Sequence, residues 1–233
     1  MGRKSRKKKK FALKGRKIIA NDNPKSPISE QYRTIRANLQ FASVDKELQS
    51  LLITSSGPTE GKSMTAANMA AVFAQQGKRV LLIDADLRKP TVHHTFRLSN
   101  TRGLSNFLVG RELLKDICQV TAVDNLEVLT SGPIPPNPSE LLGSKTMGKL
   151  LLEARQIYDM IILDTPPVLA VSDSQVLASE VDGVMLVVRS GQTEFSAAER
   201  AKELLQQSKA NLLGVVLNDR EKKSSNYYYY YGT

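Results

Sequence analysis

The feature that most restricts how this chain can fold is a loop of small and polar residues between an apolar run and a helical stretch. The apolar run covers residues 51–54, the loop follows at 55–61, and Lys62-Ser63 opens a helix predicted over 62–76. Backbone N–H groups of such a loop can surround a polyphosphate, and the N-terminus of the following helix adds a favourable dipole. A chance Gly-Lys-Ser in a turn is the alternative, and the flanking strand and helix make it the weaker one.

The residues of this loop predict how a nucleotide would be held. The Lys62 ammonium would reach the β- and γ-phosphates of ATP, and the Ser63 hydroxyl would bind Mg²⁺. Ser56 occupies the position of the usual first glycine of this motif, and a glycine follows one residue later. The predicted nucleotide contacts are Gly57, Pro58, Thr59, Glu60, Gly61, Lys62, Ser63 and Met64.

Two further apolar runs end in aspartate. Asp84 and Asp86 follow the first of them, and Asp164 ends the second. The carboxyl ends of parallel strands meet where α/β sheets bind ligands, so these carboxylates can hold Mg²⁺ or accept the proton of an attacking hydroxyl. Acids that merely cap strands explain each motif alone, but their order after the phosphate loop favours a site, with Asp84 as proton acceptor. The candidate catalytic residues are Lys62, Asp84, Asp86 and Asp164, and the candidate Mg²⁺ ligands are Ser63, Asp84, Asp86 and Asp164.

Short apolar runs alternate with helical stretches along the rest of the chain. Strands are predicted at residues 51–54, 80–84, 126–129, 160–164, 184–188 and 213–217. Helices are predicted at 27–41, 62–76, 104–109, 146–158, 172–179 and 194–208, with a short one signalled by Asn137, Pro138 and Glu140. Strands without alternation, separated by helices, indicate a parallel sheet buried on both faces. The predicted fold class is a doubly wound, mostly parallel α/β sheet of the P-loop NTPase type.

Charge is distributed unevenly along the chain. Ten of the 33 basic residues lie in the first seventeen residues, which contain no acid, so residues 18–233 carry 23 bases and 23 acids. We expect a flexible basic arm at 1–25, a folded domain at 26–218 and a flexible tail at 219–233. The arm can be a solubilising segment, can bind an anionic membrane surface, or can bind nucleic acid. Nucleic acid is not expected, because the rest of the chain shows no basic stripe or aromatic platform.

Membrane insertion and disulfide bonding are both unexpected from the sequence. No apolar run approaches the ~18 residues that a membrane-spanning helix needs. The single cysteine, Cys118, lies in an apolar pattern with Leu113, Leu114 and Ile117, which predicts a core position rather than a reactive thiol. These features predict a cytoplasmic protein.

Five of the seven tyrosines form one run near the C-terminus, and they are Tyr227, Tyr228, Tyr229, Tyr230 and Tyr231. The flanking residues are polar, so no folded strand is needed to explain the run. A tyrosine run can be an aggregation-prone segment. In a chain that already carries phosphate-binding motifs, a set of presented hydroxyl acceptors is the favoured interpretation.

Together, these motifs resemble those of the bacterial tyrosine kinases (BY-kinases) that regulate capsule and exopolysaccharide assembly. The resemblance extends from residue 26 to the last residue. It is carried by Ser56 at the start of the loop, by Asp84, Asp86 and Arg88 in an Asp-x-Asp-x-Arg motif, by Asp164, and by the tyrosine run. It implies that Mg²⁺ and ATP are the cofactors of a protein-tyrosine kinase that phosphorylates its own tail.

The resemblance also implies partners. A Glu-x-x-Arg-x-x-Arg motif, here Glu30, Arg33 and Arg36, would contribute to a homo-oligomeric ring. By spacing alone these residues form one slanting helix face, and a solvated intrahelical ion-pair face remains an equal alternative. A membrane adaptor of the polysaccharide co-polymerase type would activate the kinase and recruit it to the inner face of the membrane. A cognate tyrosine phosphatase would reverse its phosphorylation.

Two other function classes compete with the kinase interpretation. A cell-division or plasmid-partitioning ATPase would carry a lysine five residues before Lys62, where this chain has Gly57, and would leave the tyrosine run unexplained. A non-catalytic, nucleotide-switched docking subunit stays open, because its motifs would be similar. A eukaryotic-type kinase is excluded by the absence of His-Arg-Asp and Asp-Phe-Gly sequences.

Overall fold

One seven-stranded sheet runs through the residues that the computed structural model describes, which are 17–42 and 47–221. Its strands are β1 (Ser50–Ser55), β2 (Val80–Asp84), β3 (Cys118–Val120), β4 (Leu126–Leu129), β5 (Met160–Asp164), β6 (Gly183–Arg189) and β7 (Leu212–Asn218). The order across the sheet is β3-β4-β2-β5-β1-β6-β7. Neighbouring strands are parallel except for the β3–β4 pair, so the predicted fold class is confirmed.

Helices cover both faces of the sheet. They are α1 (Ile19–Asp22), α2 (Pro27–Ala42), α3 (Lys62–Ala74), α4 (Val92–Phe96), α5 (Leu104–Leu108), α6 (Leu114–Ile117), α7 (Pro138–Leu142), α8 (Lys145–Ile157), α9 (Asp173–Ala178) and α10 (Phe195–Gln207). Helices α1 to α4 contribute to one buried cluster, and α5 to α10 contribute to the other. Every residue of β1, β2 and β5 is buried, because both faces of these central strands are covered.

Helix α3 lies close against the sheet and carries the phosphate loop at its start. All its residues from Thr65 to Ala74 are buried, and five of the thirteen are alanine, whose small side chain permits close approach to the strands. Phe73 and Met69 fill the remaining space in the same cluster. The tight packing of α3 holds Lys62 and Ser63, at its N-terminus, in a fixed place beside the end of β1.

The six predicted strands are confirmed with bounds that differ by at most one residue, but a seventh was missed. Strand β3 has only three residues and pairs antiparallel with β4 at the sheet edge. Cys118 begins it and is only partly buried, although it packs against the core as predicted. Burial raises the pKa of this thiol to about 11, so it stays protonated near neutral pH.

Three short helices of four or five residues, α1, α4 and α6, were also missed, because so few residues carry only weak helical periodicity. Helix α1 affects a predicted boundary, since the folded part begins before residue 26. Ile18 and Ala20 are buried. The Ala20 N–H donates to Asn68 Oδ1 at 2.9 Å, and Gln75 Nε2 donates to the Ala20 carbonyl at 2.9 Å. These bonds tie α1 to α3, so this segment is not a free arm.

Two predicted features lie outside the described residues. They are most of the basic arm, residues 1–16, and the tyrosine run 227–231. Within the ranges 17–42 and 47–221, no helix is long and apolar enough to cross a membrane.

Candidate active site

The phosphate loop between β1 and α3 has a backbone shape that only certain residues allow. Gly61 caps α3 in the left-handed region, at φ 94°. A Cβ atom built on Gly61 would lie 2.1 Å from the Asn218 amide nitrogen at the end of β7. Both the dihedral angle and the close approach therefore require glycine at this position.

Side chains from distant parts of the chain brace the loop. Glu60 is buried, and its carboxylate accepts hydrogen bonds from the Gly57 N–H at 3.0 Å and from the Thr193 hydroxyl. Asn218 Nδ2 donates to the Glu60 carbonyl at 2.9 Å. The Glu60 side chain, which the sequence places among the nucleotide contacts, is thus engaged in shaping the loop. Thr193 and Asn218 carried no recognisable signal in the sequence, because they are more than 130 residues away from it.

Lys62 brings the three sequence motifs together. Its Nζ lies 3.0 Å from Asp86 Oδ2, 3.3 Å from Asp164 Oδ1 and 3.2 Å from the Ser63 hydroxyl. Burial lowers the pKa of Lys62, but the charges of Asp164 and Asp86 outweigh this effect and raise the pKa above its ordinary value. The ammonium group is therefore charged and bridges two of the predicted Mg²⁺ ligands.

Asp84 and Asp164 end the neighbouring strands β2 and β5 in register, and both are fully buried. Asp84 Oδ2 accepts the backbone N–H groups of Thr91 and Val92, at 3.1 and 3.0 Å, at the start of α4. Burial and then the charge of Asp164 raise the pKa of Asp84 to about 8. Burial also raises the pKa of Asp164, against the lowering effect of Lys62. Among the described residues, Asp84 Oδ1 and Asp164 Oδ2 find no hydrogen-bond partner.

These orphaned oxygens show what the site lacks and what would fit it. Lys62 pairs with two carboxylates, Asp86 and Asp164, so the cluster has an excess of negative charge even while Asp84 holds its proton, and a divalent cation would offset that excess. No group of three or more histidine, cysteine, aspartate or glutamate residues in the described ranges is arranged to chelate a metal unaided. Mg²⁺ commonly uses only one or two carboxylates and completes its shell with water and substrate phosphates. The residues present therefore fit a magnesium ion that binds together with a nucleotide.

Arg88, the third member of the Asp-x-Asp-x-Arg motif, contacts two residues that the sequence analysis did not single out. Its guanidinium group donates to both carboxylate oxygens of Asp173, at 2.9 and 3.0 Å, and to the Ser139 hydroxyl at 2.9 Å. Asp173 begins α9 and is fully buried, and Ser139 lies in α7. Both partners therefore lie in helices that follow the strands of the candidate site along the chain.

The predicted oligomerisation face on α2 makes contacts within its own chain. Glu30 and Arg33 form an ion pair, and Arg33 Nη2 also donates to the Pro24 carbonyl at 2.8 Å. Arg36 turns toward α3 and donates to the Val72 carbonyl at 2.6 Å. The Glu30–Arg33 ion pair lies on the surface, whereas Arg36 uses one of its hydrogen bonds to connect α2 to α3.

Known proteins resemble this chain over most of its length. A family model described as an AAA domain matches residues 52–211. The tyrosine-protein kinase YwqD of Bacillus subtilis (strain 168) is 56% identical over 206 residues, which are 88% of this chain and 87% of the relative. The putative tyrosine-protein kinase CapB of Staphylococcus aureus is 44% identical over 201 residues, 86% of this chain and 88% of the relative.

A solved structure agrees with these relatives. The crystal structure of the chimerical protein CapA2B2 superposes with a TM-score of 0.85 at 44% identity, covering 88% of this chain and 90% of that one. The similarity therefore includes the phosphate loop, both aspartate motifs and the sheet that positions them. It favours the kinase over the partitioning ATPase and the non-catalytic subunit. The chain belongs to the bacterial tyrosine-protein kinases, the BY-kinases, and has the activity of that family.

Proposed function

We propose that this kinase uses Mg-ATP to phosphorylate the tyrosine run 227–231 on a neighbouring copy of itself within an oligomer. The proposal rests on one observation: Lys62 Nζ lies within 3.3 Å of carboxylate oxygens of both Asp86 and Asp164, and Asp84 lies next to Asp164 on the neighbouring strand. In this role the enzyme would regulate capsular and exopolysaccharide synthesis and export.

Each side chain of the cluster has a chemical task under this proposal. Mg-ATP, when bound, supplies the phosphoryl group and neutralises charge that develops on its oxygens. Lys62 binds the phosphates, and Ser63, Asp86 and Asp164 are the groups available to Mg²⁺. Asp84 Oδ1 accepts the proton of the tyrosine hydroxyl, because it is the unpartnered oxygen of a carboxylate whose other oxygen is fixed by Thr91 and Val92.

The position at which β7 ends, and the number of residues that follow it, support delivery of tyrosine to a kinase site. Strand β7 ends at Asn218, which contacts the phosphate loop, and the next residue, Asp219, pairs with Arg189 at 2.6 Å. Eight residues lie between Asn218 and Tyr227. At ~3.3–3.6 Å per extended residue, the nine steps from Asn218 to Tyr227 span roughly 30 Å, about one domain diameter. The acceptors can therefore reach a neighbouring subunit, and docking there would raise their effective concentration.

Two interactions beyond the kinase domain follow from the same proposal. Glu30 and Arg33, with Arg36, would contribute to a ring of subunits through the surface of α2. A membrane adaptor would activate the kinase and hold it at the inner face of the membrane, and the CapA2B2 chimera, whose kinase part resembles this chain, supports such an association. A cognate phosphatase would return the tail to its starting state.

Mixing two proteins, neither of which can phosphorylate its own tail, tests transfer between chains. The first carries Lys62→Met with an intact tail, and the second has intact motifs with all five tail tyrosines changed to Phe. After incubation with Mg-ATP, intact mass spectrometry should show phosphate on the first protein and none on the second. If wild-type protein gains phosphate but the mixture does not, the reaction occurs within one chain and the proposal of transfer between chains is wrong.

A further inference from the structure

Three side chains, from the turn after β2 and from helices α7 and α9, form a network beside the active site, which we call the Arg88 latch. Its members are Arg88, Asp173 and Ser139. Arg88 Nε lies 2.9 Å from Asp173 Oδ2, and Nη2 lies 3.0 Å from Asp173 Oδ1 and 2.9 Å from Ser139 Oγ. Ser139 in turn donates to Asp173 Oδ1 at 2.5 Å. Both carboxylate oxygens are thus engaged, and the Asp173 side chain is fully buried.

The latch joins the two loops that carry candidate Mg²⁺ ligands. Arg88 belongs to the turn after β2, which Asp86 closes by accepting the Lys89 N–H at 3.0 Å. Asp173 belongs to the segment after β5, which begins at Asp164. Because strands β2 and β5 are neighbours, the latch spans the same gap that Lys62 spans between Asp86 and Asp164.

The latch is a second link, besides Lys62, between the loops of Asp86 and Asp164, and it can offset the repulsion between these two residues. Asp86 and Asp164 are buried like charges, and their repulsion favours separation of the two loops. Lys62 offsets that repulsion here, but a lysine that binds phosphates can no longer bridge both carboxylates. The latch does not involve Lys62, so it can hold the loops together when Lys62 is engaged elsewhere. Bidentate arginine–carboxylate geometry also restricts orientation, which a lysine point charge does not.

We propose that Asp173 and Ser139 are positioning residues, which act through Arg88 to hold the turn of Asp86 at a set distance from Asp164 when bound phosphates draw Lys62 away from the two carboxylates. The inference rests on the proposed function of the site as a Mg-nucleotide kinase centre. Neither residue touches the reacting atoms. Partners of this kind, outside the direct ligands, typically change metal affinity or activity by ~10–100-fold when they are replaced.

A binding titration tests the latch without relying on catalysis. Fluorescent ADP is titrated into full-length wild type and Asp173→Asn at a series of Mg²⁺ concentrations, and the half-saturating Mg²⁺ is extracted. We expect Asp173→Asn to raise the half-saturating Mg²⁺ by ~10-fold or more, with ADP affinity in the absence of Mg²⁺ unchanged. Ser139→Ala, which removes the two hydrogen bonds of the hydroxyl and keeps the ion pair, should give a smaller rise in the same direction.

The matched control is Asp182→Asn, which breaks another buried arginine–aspartate pair. Asp182 lies 3.0 Å from Arg155 at the opposite edge of the sheet. This variant should lose thermal stability but keep the wild-type Mg²⁺ dependence, which separates positioning from general destabilisation. If Asp173→Asn does not fold, Arg88→Lys replaces it. This variant keeps the positive charge but loses the two-pronged hydrogen bonding to Asp173, so we expect the same rise in half-saturating Mg²⁺.

The outcomes are distinct. Equal Mg²⁺ dependence in wild type, Ser139→Ala and either Asp173→Asn or Arg88→Lys would overturn the latch. An equal shift in Asp182→Asn would overturn it as well. If wild type itself shows no Mg²⁺-dependent nucleotide binding, the proposed function fails instead. A double variant, Arg88→Lys with Asp173→Asn, should be no worse than the poorer single variant, because both changes break one interaction.

Discussion

Buried aspartates lie at both the amino and the carboxyl ends of the strands, and they differ in whether a buried oxygen is left without a hydrogen-bond partner. At the amino edge, Asp182 Oδ2 accepts the Ser50 N–H at 2.9 Å and the Ser50 hydroxyl at 2.8 Å, and it pairs with Arg155 at 3.0 Å. At the carboxyl edge, Asp84 and Asp164 each keep one buried oxygen without a partner among the described residues.

Under the proposed function, this difference distinguishes a structural aspartate from candidate ligands of a cation. A buried charge that is fully paired contributes to a defined fold, whereas a buried charge without a partner costs stability. The protein accepts that cost where parallel strands open toward a ligand, and the unpaired oxygens are available to a cation. The same residue type in the same sheet therefore serves two purposes, according to the charges and donors that surround it.

The largest effect is expected from removing the ammonium group at the carboxyl edge. Lys62→Met should reduce tail phosphotyrosine by ~10³-fold or more, because the lysine contacts transferred charge in phosphoryl transfer. Circular dichroism should show the fold retained, since the nearby carboxylates can bind protons in place of the ammonium group. Undiminished phosphotyrosine on the tail, by intact mass, would contradict the role of Lys62 in the kinase site.

The second effect concerns stability at the amino edge. Asp182→Asn should lower the free energy of unfolding by about 2–4 kcal/mol, because it breaks a buried pair with Arg155 and weakens two bonds to Ser50. Kinase activity at a temperature well below the melting point should remain near that of wild type. Urea titration gives the stability, and an unchanged midpoint would show that pairing at this edge contributes nothing.

The third substitution should raise the free energy of unfolding rather than lower it. Asp84→Asn should stabilise the nucleotide-free protein by about 1–3 kcal/mol at pH 8 and above, since it removes a buried charge beside Asp164. It should also impair phosphate transfer, because Asn cannot accept the tyrosine proton. Near wild-type transfer by Asp84→Asn would assign proton acceptance to another group.

The pH dependence of that stabilisation follows from the raised pKa of Asp84. With a folded-state pKa of about 8 against an ordinary value of 3.8, the folded protein holds the proton that the unfolded chain has lost. The contribution of Asp84 to wild-type stability is therefore fully present below pH 4 and falls as pH rises to about 8. The advantage of Asp84→Asn should be absent near pH 4 and greatest above pH 8, in melting curves recorded without Mg²⁺ or nucleotide.

The smallest effect is expected at a surface ion pair that resembles the latch in geometry. Arg102 and Glu112 also meet through two hydrogen bonds, but the arginine side chain is 53% exposed. Glu112→Gln should change the melting temperature by no more than ~1 °C, because solvent screens the pair. A loss as large as that of Asp182→Asn would show that burial does not decide the worth of these pairs.

The sequence by itself determined the parts whose signals are contiguous. The phosphate loop, the strands that end at Asp84 and Asp164, and most helices each occupy one short stretch, and the strand-helix alternation predicts a parallel sheet. Since parallel strands present their carboxyl ends at one edge, it also followed that the three motifs would meet. The contacts of Lys62 with Asp86 and Asp164 agree with that expectation.

Only the tertiary structure decided which distant residues support those motifs. Arg88 and Asp173 are 85 residues apart, and Asn218 is 158 residues from the loop carbonyl that it contacts. The inward turn of Arg36 and the docking of α1 on α3 likewise depend on helix placement. Local patterns record the period of a helix or strand, but they carry no information on strand order, and the order β2-β5-β1-β6-β7 brings these partners together.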